Sequence, residues 1–235
     1  MTGSIRLFLD TPLGLGDTVS ASGAQAHYLG AVMRRATGDV VRLFNGRDGE
    51  FSARIVRLRR DQADLIVERL LRAQAAEPDV WLLFALLKRD ATDLVVQKAT
   101  ELGVSALHPI MTERCNTHRM NPTRLRTIAV EAAEQCGRLT VPMLHDVRPV
   151  QAVLAAWGRE RRLFAAVERS DAPFVTRVSG PRALLVGPEG GFSPVELEAL
   201  RAHPFVTEVS LGSRVLRADT ACIVGLALLQ GGDCG

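Results

Sequence analysis

The sequence predicts an α/β protein in which a small β-rich domain precedes a larger domain with a mostly parallel sheet. Residues 1–72 contain short runs of strand-forming residues, typical of a small β-barrel. Residues 73–79 are polar and without periodicity, which predicts a linker. Beyond Pro78, apolar runs alternate with amphipathic segments, as strands and helices do around a parallel sheet. We therefore expect two domains, 1–73 and 74–235.

The first domain is expected to hold four strands and one helix. Strands are predicted where β-branched and aromatic residues alternate or cluster, and a helix where apolar residues recur at helical spacing. The predicted strands are Ile5–Leu9, Val40–Phe44, Phe51–Leu58 and Asp64–Leu70, and the helix lies around Ala24–Arg35.

The second domain is expected to alternate between strands and helices. The predicted strands are Val80–Leu87, Ala106–Met111, Leu163–Val167, Ala183–Val186 and Val206–Leu211. The predicted helices are Asp93–Leu102, one from Asn121 to about Gly137, Gln151–Arg159, one that begins at Ser193, and Ala221–Gln230. Ser193 and Glu196 have the spacing of a capping box, and Asp219 or Thr220 is expected to cap the last helix.

Composition excludes several classes of protein. The chain has 235 residues, 47% of them hydrophobic, and a net charge of +3. No apolar run is long enough to span a bilayer, and the first residues lack the pattern of a signal peptide, so we expect a cytoplasmic protein. The four cysteines show no close pairing and no histidine pair has metal-ligand spacing, so we expect reduced cysteines and no metal site.

Two segments that follow predicted strands are candidates for binding. Gly187–Gly191 contains three glycines, a proline and Glu189, at the place where open α/β sheets bind ligands. A tight turn before a helix is the alternative for this segment. Leu211–Ala221 also leaves a strand and enters a helix; its arginines could be surface charges and its Asp219 a simple helix cap.

Two further segments carry weaker signals when each is considered alone. Glu131, Glu134 and Arg138 share one helix face, a spacing that favours a ladder of salt bridges over a functional site. Residues 97–104 contain Gly103, a residue typical of helix ends, and require no role beyond structure.

The motifs taken in order resemble those of the ribosomal RNA small subunit methyltransferase E family. In the second domain these are QKATELGV at 97–104, EAAEQCGR at 131–138, GPEGGFS at 187–193 and LGSRVLRADTA at 211–221. In the first domain they are His27-Tyr28-Leu29, Val32-Met33-Arg34, Gly38-Asp39 and Leu43-Phe44-Asn45-Gly46. The resemblance covers nearly the whole chain. It departs from the family pattern at Asp219, where Glu is usual, at Cys115, where Ser is usual, and at Arg89, where Gly is usual.

The resemblance implies a fold, a reaction and partners. It implies an N-terminal PUA-like, RNA-binding barrel and a C-terminal SPOUT methyltransferase domain that contains a deep trefoil knot. It implies methylation of N3 of a specific uridine in 16S ribosomal RNA of the small ribosomal subunit, with S-adenosyl-L-methionine (SAM) as methyl donor. It also implies a homodimer in which the partner chain completes each active site.

The resemblance places SAM between the two glycine-rich segments, largely on backbone groups. The residues expected to hold it are Leu185, Gly187, Pro188, Glu189, Gly190, Gly191, Leu211, Gly212, Val215, Leu216, Thr220 and Ala221.

Methylation of uridine N3 requires removal of the N3 proton. A cation near O2 or O4 would stabilise the negative charge that develops, and Arg138 is the first candidate, with Arg217 second. Glu189 or Asp219 could accept the proton, directly or through water.

Basic residues of the first domain are expected to bind RNA through its phosphates. They are His27, Arg34, Arg54, Arg57, Arg59 and Arg60. From charge alone, solvated strand and helix faces are the simpler interpretation of these arginines.

Two other functions are compatible with the predicted fold. One is a non-catalytic RNA-binding or ribosome-assembly protein, which the two glycine-rich segments argue against. The other is a SPOUT methyltransferase that modifies the ribose 2′-oxygen, whose motifs are less similar to these.

Overall fold

The computed structural model describes residues 5–117, 119–158, 160–168 and 171–231, which fall into two compact units. The first unit comprises the described residues up to Ala76 together with Ala133–Val141. The second comprises Glu77–Ala132 and the described residues from Pro142 onward. The boundary near residue 76 falls within an irregular segment at 73–79.

The first unit is built on one five-stranded sheet. Its elements are β1 Arg6–Phe8, β2 Thr18–Ala21, α1 Gly23–His27, a π-helical turn Tyr28–Val32, β3 Val40–Phe44, β4 Glu50–Leu58 and β5 Ala63–Arg72. The strand order is β1-β3-β4-β5-β2; β1 and β3 are parallel, and the other neighbours are antiparallel. Alternate residues such as Val41, Leu43, Ala53, Ile55 and Leu65 point into a single buried core.

The four predicted strands of this unit are confirmed with small shifts at their ends, but one strand was missed. β2 is only four residues long and places Thr18 and Ser20 on its outer face, so its apolar signal is weak. The predicted helix around Ala24–Arg35 is wrong in length, because α1 gives way to the π-helical turn, which ends at Val32. Arg34 then adopts φ of 52°, which is incompatible with continued helix.

A buried carboxylate organises the first unit. Glu50 is completely buried and contacts Arg6 at 2.6 Å and Arg72 at 2.9 Å. Burial alone would raise the pKa of Glu50, but the hydrogen bonds from Arg72 and Arg6 outweigh it and hold the pKa below its ordinary value. Arg6 also donates to the carbonyl oxygens of Ala133 at 2.7 Å and Glu134 at 2.9 Å, so it fixes the segment 133–141 to the sheet.

The second unit contains a seven-stranded sheet. Its strands are β6 Val80–Ala85, β7 Ala106–Met111, β8 Met143–Leu144, β9 Arg148–Pro149, β10 Arg162–Ala166, β11 Arg182–Val186 and β12 Val206–Val209. The order is β12-β10-β11-β6-β7-β8, with β9 also paired to β7, and every pairing among the described residues is parallel. The helices are α2 Arg89–Glu101, α3 Pro122–Cys136, α4 Val150–Ala155, α5 Pro194–Arg201 and α6 Ala218–Gln230.

The predicted α/β fold class with a parallel sheet is confirmed, and so is the capping box of Ser193 and Glu196. The predicted cap of the last helix is wrong. α6 begins one turn earlier than expected, with Arg217 at the N-cap and Asp219 inside the first turn. The helix predicted over Gln151–Arg159 ends at Ala155, and Arg159 lies outside the described residues. The trefoil knot stays a prediction.

Glycine permits a close approach in the core of the second unit. A methyl group at Gly225 of α6 would lie 2.7 Å from Leu184 of β11, so only glycine lets this helix pack directly against the sheet. Cys115 and Cys222 are buried and Cys136 is exposed, while Cys234 lies outside the described residues. None of the helices, within the described part of the chain, has the length and apolarity to cross a membrane.

Two stacked histidines lie in the second unit. The rings of His108 and His145 are 3.9 Å apart, and Trp81 packs on His108 at 4.5 Å. Arg161 lies 3.6 Å above the Trp81 ring. Burial, reinforced by the positive charge of His145 and Arg161, lowers the pKa of His108 to about 3. His108 therefore remains neutral in the folded protein at ordinary pH.

We predict that Glu50→Gln lowers the free energy of unfolding of the first unit by about 3 kcal/mol, because it leaves the buried Arg6 and the partly exposed Arg72 without their carboxylate. Urea denaturation monitored by circular dichroism measures the loss, and hydrogen exchange in β3–β5 localises it. The control is Glu68→Gln, which removes a carboxylate from the more exposed pair with Arg54 and should cost less than about 1 kcal/mol. Equal losses in the two variants would contradict this account of Glu50.

We also predict that acid destabilises the protein through His108. The pKa of His108 in the folded protein lies below its unfolded value of about 6.5. The neutral ring therefore contributes its full share to the free energy of unfolding above pH 6.5, and this share is lost as the pH falls toward 3. Between pH 7 and pH 5 this loss amounts to roughly 2 kcal/mol. His108→Phe keeps an aromatic ring but cannot titrate, so its denaturation midpoint should fall less over this interval. A variant with the same acid sensitivity as the parent would refute the assignment.

Candidate functional site

A pocket lies where three neighbouring parallel strands of the second unit end. β10 lies between β11 and β12, and Ala166 at its end is in register with Val186 of β11 and Val209 of β12. The carboxyl ends of the three strands are therefore level, and the segments that follow them converge. We call this cavity the glycine-loop pocket; it is lined by Arg114, Ala166–Glu168, Val186–Phe192, Leu197, Ser210–Gly212, Arg214, Leu216, Ala218 and Ala221.

The loop between β11 and α5 requires two of its glycines. A methyl group at Gly187 would lie 3.1 Å from the ring of Phe192, which packs beneath the loop. Gly191 has φ of 67°, and its N–H donates to the carbonyl oxygen of Pro188 at 2.9 Å, which closes a tight turn. The loop thus follows the pocket wall with its backbone close to any ligand.

The buried Glu196 connects this loop to the segment after β7. One carboxylate oxygen accepts from the N–H of Ser193 at 2.9 Å, and the other accepts from the N–H of Glu113 at 2.8 Å. The neighbouring Arg114 donates from Nη1 to the carbonyl oxygen of Gly190 at 2.9 Å. These contacts hold the loop in shape and place the Arg114 side chain in the pocket wall.

The second loop follows β12 and forms the facing wall. Gly212 has φ of 123°, and its N–H donates to the hydroxyl of Ser210 at 3.2 Å. The backbone of Ser210 is held in turn by Pro173 and Val175, through hydrogen bonds of 2.9 and 3.0 Å. Leu211 and Leu216 are half-buried and add apolar surface to the pocket.

The pocket combines apolar surface with charges of both signs. Its charged side chains are Arg114, Arg214, Glu168 and Glu189, which give no net charge. Alanines and the Phe192 ring supply the apolar part. Such a lining suits a ligand with a flat apolar group and separate positive and negative groups. Among the described residues, no group of histidines, cysteines and carboxylates could hold a metal ion.

The structure brings most of the predicted cofactor-binding residues together in this pocket. Gly187–Gly191, Leu211, Gly212, Leu216 and Ala221 line it. Three predicted residues are not in the lining. Leu185 is completely buried within β11, Val215 is 53% exposed, and Thr220 is exposed on α6.

The four predicted catalytic residues lie in different places. Glu189 is exposed in the pocket wall. Arg217 and Asp219 flank Ala218, which lines the pocket, and Asp219 accepts a hydrogen bond from the N–H of Thr220 at 2.6 Å. Arg138 belongs to the first unit, where its Nη2 donates to the hydroxyl of Thr140 at 2.9 Å.

The sequence reasoning missed the contributions of β10 and of the segment after β7. Ala166 and Val167 end the predicted strand Leu163–Val167, and Glu168 follows it, but no local pattern shows that this strand lies between β11 and β12. Arg114 follows the predicted strand Ala106–Met111. The general rule that ligands bind at carboxyl ends of parallel strands was the one available signal for both.

The predicted RNA-binding residues of the first unit are all exposed. Arg54 and Arg57 lie on β4, and Arg59 and Arg60 lie in the turn between β4 and β5. Arg54 pairs with Glu68 at 2.6 Å and Arg57 with Asp64 at 3.5 Å, so part of their charge is neutralised. His27 ends α1, and Arg34 follows the π-helical turn.

Two family models match the chain. A model described as RNA methyltransferase domain matches residues 75–230, and a model described as RNA methyltransferase PUA domain matches residues 21–68. Together they account for the larger parallel sheet and for the smaller five-stranded unit.

Similar proteins extend over nearly the whole chain. The ribosomal RNA small subunit methyltransferase E of Rickettsia conorii is 31% identical, over 96% of this chain and 94% of its own length. A Legionella pneumophila protein solved in complex with the cofactor SAM superimposes with a TM-score of 0.86 at 30% identity, over 97% of this chain and 98% of its own. The ribosomal RNA small subunit methyltransferase E of Neisseria gonorrhoeae, bound to S-adenosyl methionine, has a TM-score of 0.84 at 27% identity, over 96% of each chain. This chain therefore belongs to the ribosomal RNA small subunit methyltransferase E family.

Proposed function

We propose that the protein transfers the methyl group of SAM to N3 of a specific uridine in 16S ribosomal RNA of the small ribosomal subunit. The observation that carries the proposal is the convergence of two glycine-containing loops and the end of β10 on one pocket. The name and bound cofactor of the Neisseria gonorrhoeae relative support SAM-dependent methylation of small-subunit ribosomal RNA, which is the coarser part of the proposal. We place the reaction in the cytoplasm with its ribosomal substrate.

The lining of the glycine-loop pocket fits SAM. SAM supplies an electrophilic methyl group on a sulfonium centre. Leu211, Leu216 and Ala221 offer apolar surface to an adenine ring, and Gly187 and Gly212 let backbone groups approach it. Glu168 provides a negative partner for an ammonium group, while Arg114 and Arg214 provide positive partners for a carboxylate. Leu185, Val215 and Thr220, which do not line the pocket, would support the lining residues from behind or from the side.

Glu189 is the proposed proton acceptor. The uracil N3–H is a weak acid, so the proton must be removed as N3 attacks, and a positioned carboxylate accelerates such a step by roughly 10²–10⁴-fold. Glu189 is exposed at the pocket wall, where the uracil ring could reach its carboxylate. Asp219 is the second candidate, although its hydrogen bond from Thr220 occupies one carboxylate oxygen.

A cation is proposed to stabilise the negative charge on the uracil oxygens. Arg138 and Arg217 remain the candidates from the sequence. Arg217 immediately precedes the pocket residue Ala218, and its side chain is exposed. Arg138 would act within the proposed homodimer, in which the partner chain completes the site.

The first unit is proposed to hold the RNA backbone. Arg59 and Arg60 lie at the turn between β4 and β5, and Arg54 and Arg57 precede them on β4. Arginine binds phosphate with two parallel hydrogen bonds, which suits recognition of RNA by shape and charge. His27 and Arg34 are the remaining proposed contacts.

We predict that Gly187→Ala weakens SAM binding roughly tenfold or more. The added methyl group would press on the Phe192 ring at 3.1 Å and displace the loop, and overpacking of this kind costs about 1–3 kcal/mol. Isothermal titration calorimetry measures the affinity. Gly158→Ala is the matched control, because a methyl group there meets no atom within 4 Å. Parent-like affinity of Gly187→Ala would show that the loop does not shape the SAM site.

We predict that the protein, given SAM, forms N3-methyluridine in hypomethylated small subunits. The variant Glu189→Gln should slow single-turnover methyl transfer by about 10²–10⁴-fold, because it lacks the proton acceptor. Nucleoside mass spectrometry identifies the product, and labelled SAM gives the rate. Glu198→Gln removes the same charge from an exposed position of α5 and should retain the parent rate. Formation of 2′-O-methyluridine would overturn the proposed reaction, and a parent-like rate for Glu189→Gln would exclude Glu189 as the base.

A further inference from the structure

A second pocket lies at the same edge of the parallel sheet as the glycine-loop pocket. It lies between the start of α2, the segment after β7 and the start of α3, and we call it the arginine pocket. The strand order β11-β6-β7 makes β6 and β7 the direct continuation of the strands that end at the glycine-loop pocket. The two pockets thus share the carboxyl edge of one sheet.

The arginine pocket carries a net positive charge. Arg89, Arg119 and Arg124 line it, and Asp93 is the only carboxylate among its lining residues. Asp93 is engaged by Arg124, whose Nε donates to Oδ2 at 3.0 Å. Within the described part of the chain, Arg89 and Arg119 form no ion pair, and both side chains are exposed. Their charges are therefore available to an anion.

These arginines occupy positions that cost the helices stability. Arg89 is the first residue of the 13-residue α2, whose first turn also contains Asp90. Arg124 lies in the first turn of the 15-residue α3, and that turn contains no acidic residue. Cations are unfavourable at helix N-termini, where the backbone N–H groups already carry partial positive charge. An anion bound between the two helix starts would offset that cost. Violations of a local rule of this kind are typical of functional positions.

The segment after β7 connects the two pockets. Arg114 of this segment lines the glycine-loop pocket, and Thr117 and Arg119 line the arginine pocket. An RNA chain whose target base lies beside SAM, at the mouth of the glycine-loop pocket, would carry its neighbouring phosphates along the same edge of the sheet toward the arginine pocket. Arginine forks match phosphate oxygens, and Thr117 and Asn121 add neutral hydrogen-bonding groups.

We propose that the arginine pocket binds a backbone phosphate of the substrate RNA next to the nucleotide that is methylated. This proposal rests on the function proposed above. It adds an RNA contact in the second unit, separate from the basic residues of the first unit. The site positions RNA and does not contact the reacting atoms.

The test compares the double variant Arg89→Gln/Arg119→Gln with the parent in methyl transfer and in equilibrium binding of small-subunit RNA. Two lost charge-assisted contacts should raise KM for the RNA roughly tenfold or more and reduce the slope of log affinity against log salt by about two. The kcat at saturating RNA and the affinity for SAM should not change. The control Arg162→Gln removes a charge at the amino end of β10, away from both pockets, and should behave as the parent.

The variant Arg89→Lys/Arg119→Lys keeps the charges and should recover most of the salt dependence. An unchanged KM and salt slope in the glutamine double variant would overturn the phosphate site while the proposed methyl transfer stands. Absence of methyl transfer by the parent would instead contradict the proposed function, and the salt slope of RNA binding would still report on the arginine pocket.

Discussion

The parallel register of β12, β10 and β11 is the constraint on which the proposed site depends. Val209, Ala166 and Val186 lie side by side at the ends of these strands, so the three segments that follow begin at the same level. Main-chain hydrogen bonds of the sheet set this alignment, and the buried side chains of β11 hold it in place. A shift of one residue would exchange the two faces of a strand and offset the loops that follow from one another.

Backbone geometry, more than side-chain chemistry, gives the pocket its shape. Gly187 lies against the Phe192 ring, and Gly191 and Gly212 adopt positive φ values. Glu196 and Arg114 then hold the first loop from behind, through hydrogen bonds to backbone groups of Ser193, Glu113 and Gly190. A pocket of this kind needs few charged residues to recognise a cofactor that carries charges of both signs.

Local patterns in the sequence predicted the elements well and their neighbours poorly. The apolar strands, the capping box at Ser193 and the two glycine-rich loops all follow from residues close together in the chain. The roles of Glu168 and Arg114 depend on which strands are adjacent, and adjacency is a property of the whole sheet. The start of α6 at Ala218 was missed because Asp219 has the side chain of a cap but lies inside the first turn. The buried cluster around Glu50 likewise joins residues far apart in sequence.

A structure of the protein with SAM tests the central claim most directly. The expected result is the adenosyl group between the loop Gly187–Gly191 and the loop Ser210–Leu216, with the methyl group open toward Glu189. Density for the adenosyl group elsewhere on the chain, or a glycine-loop pocket closed by its own side chains, would contradict it.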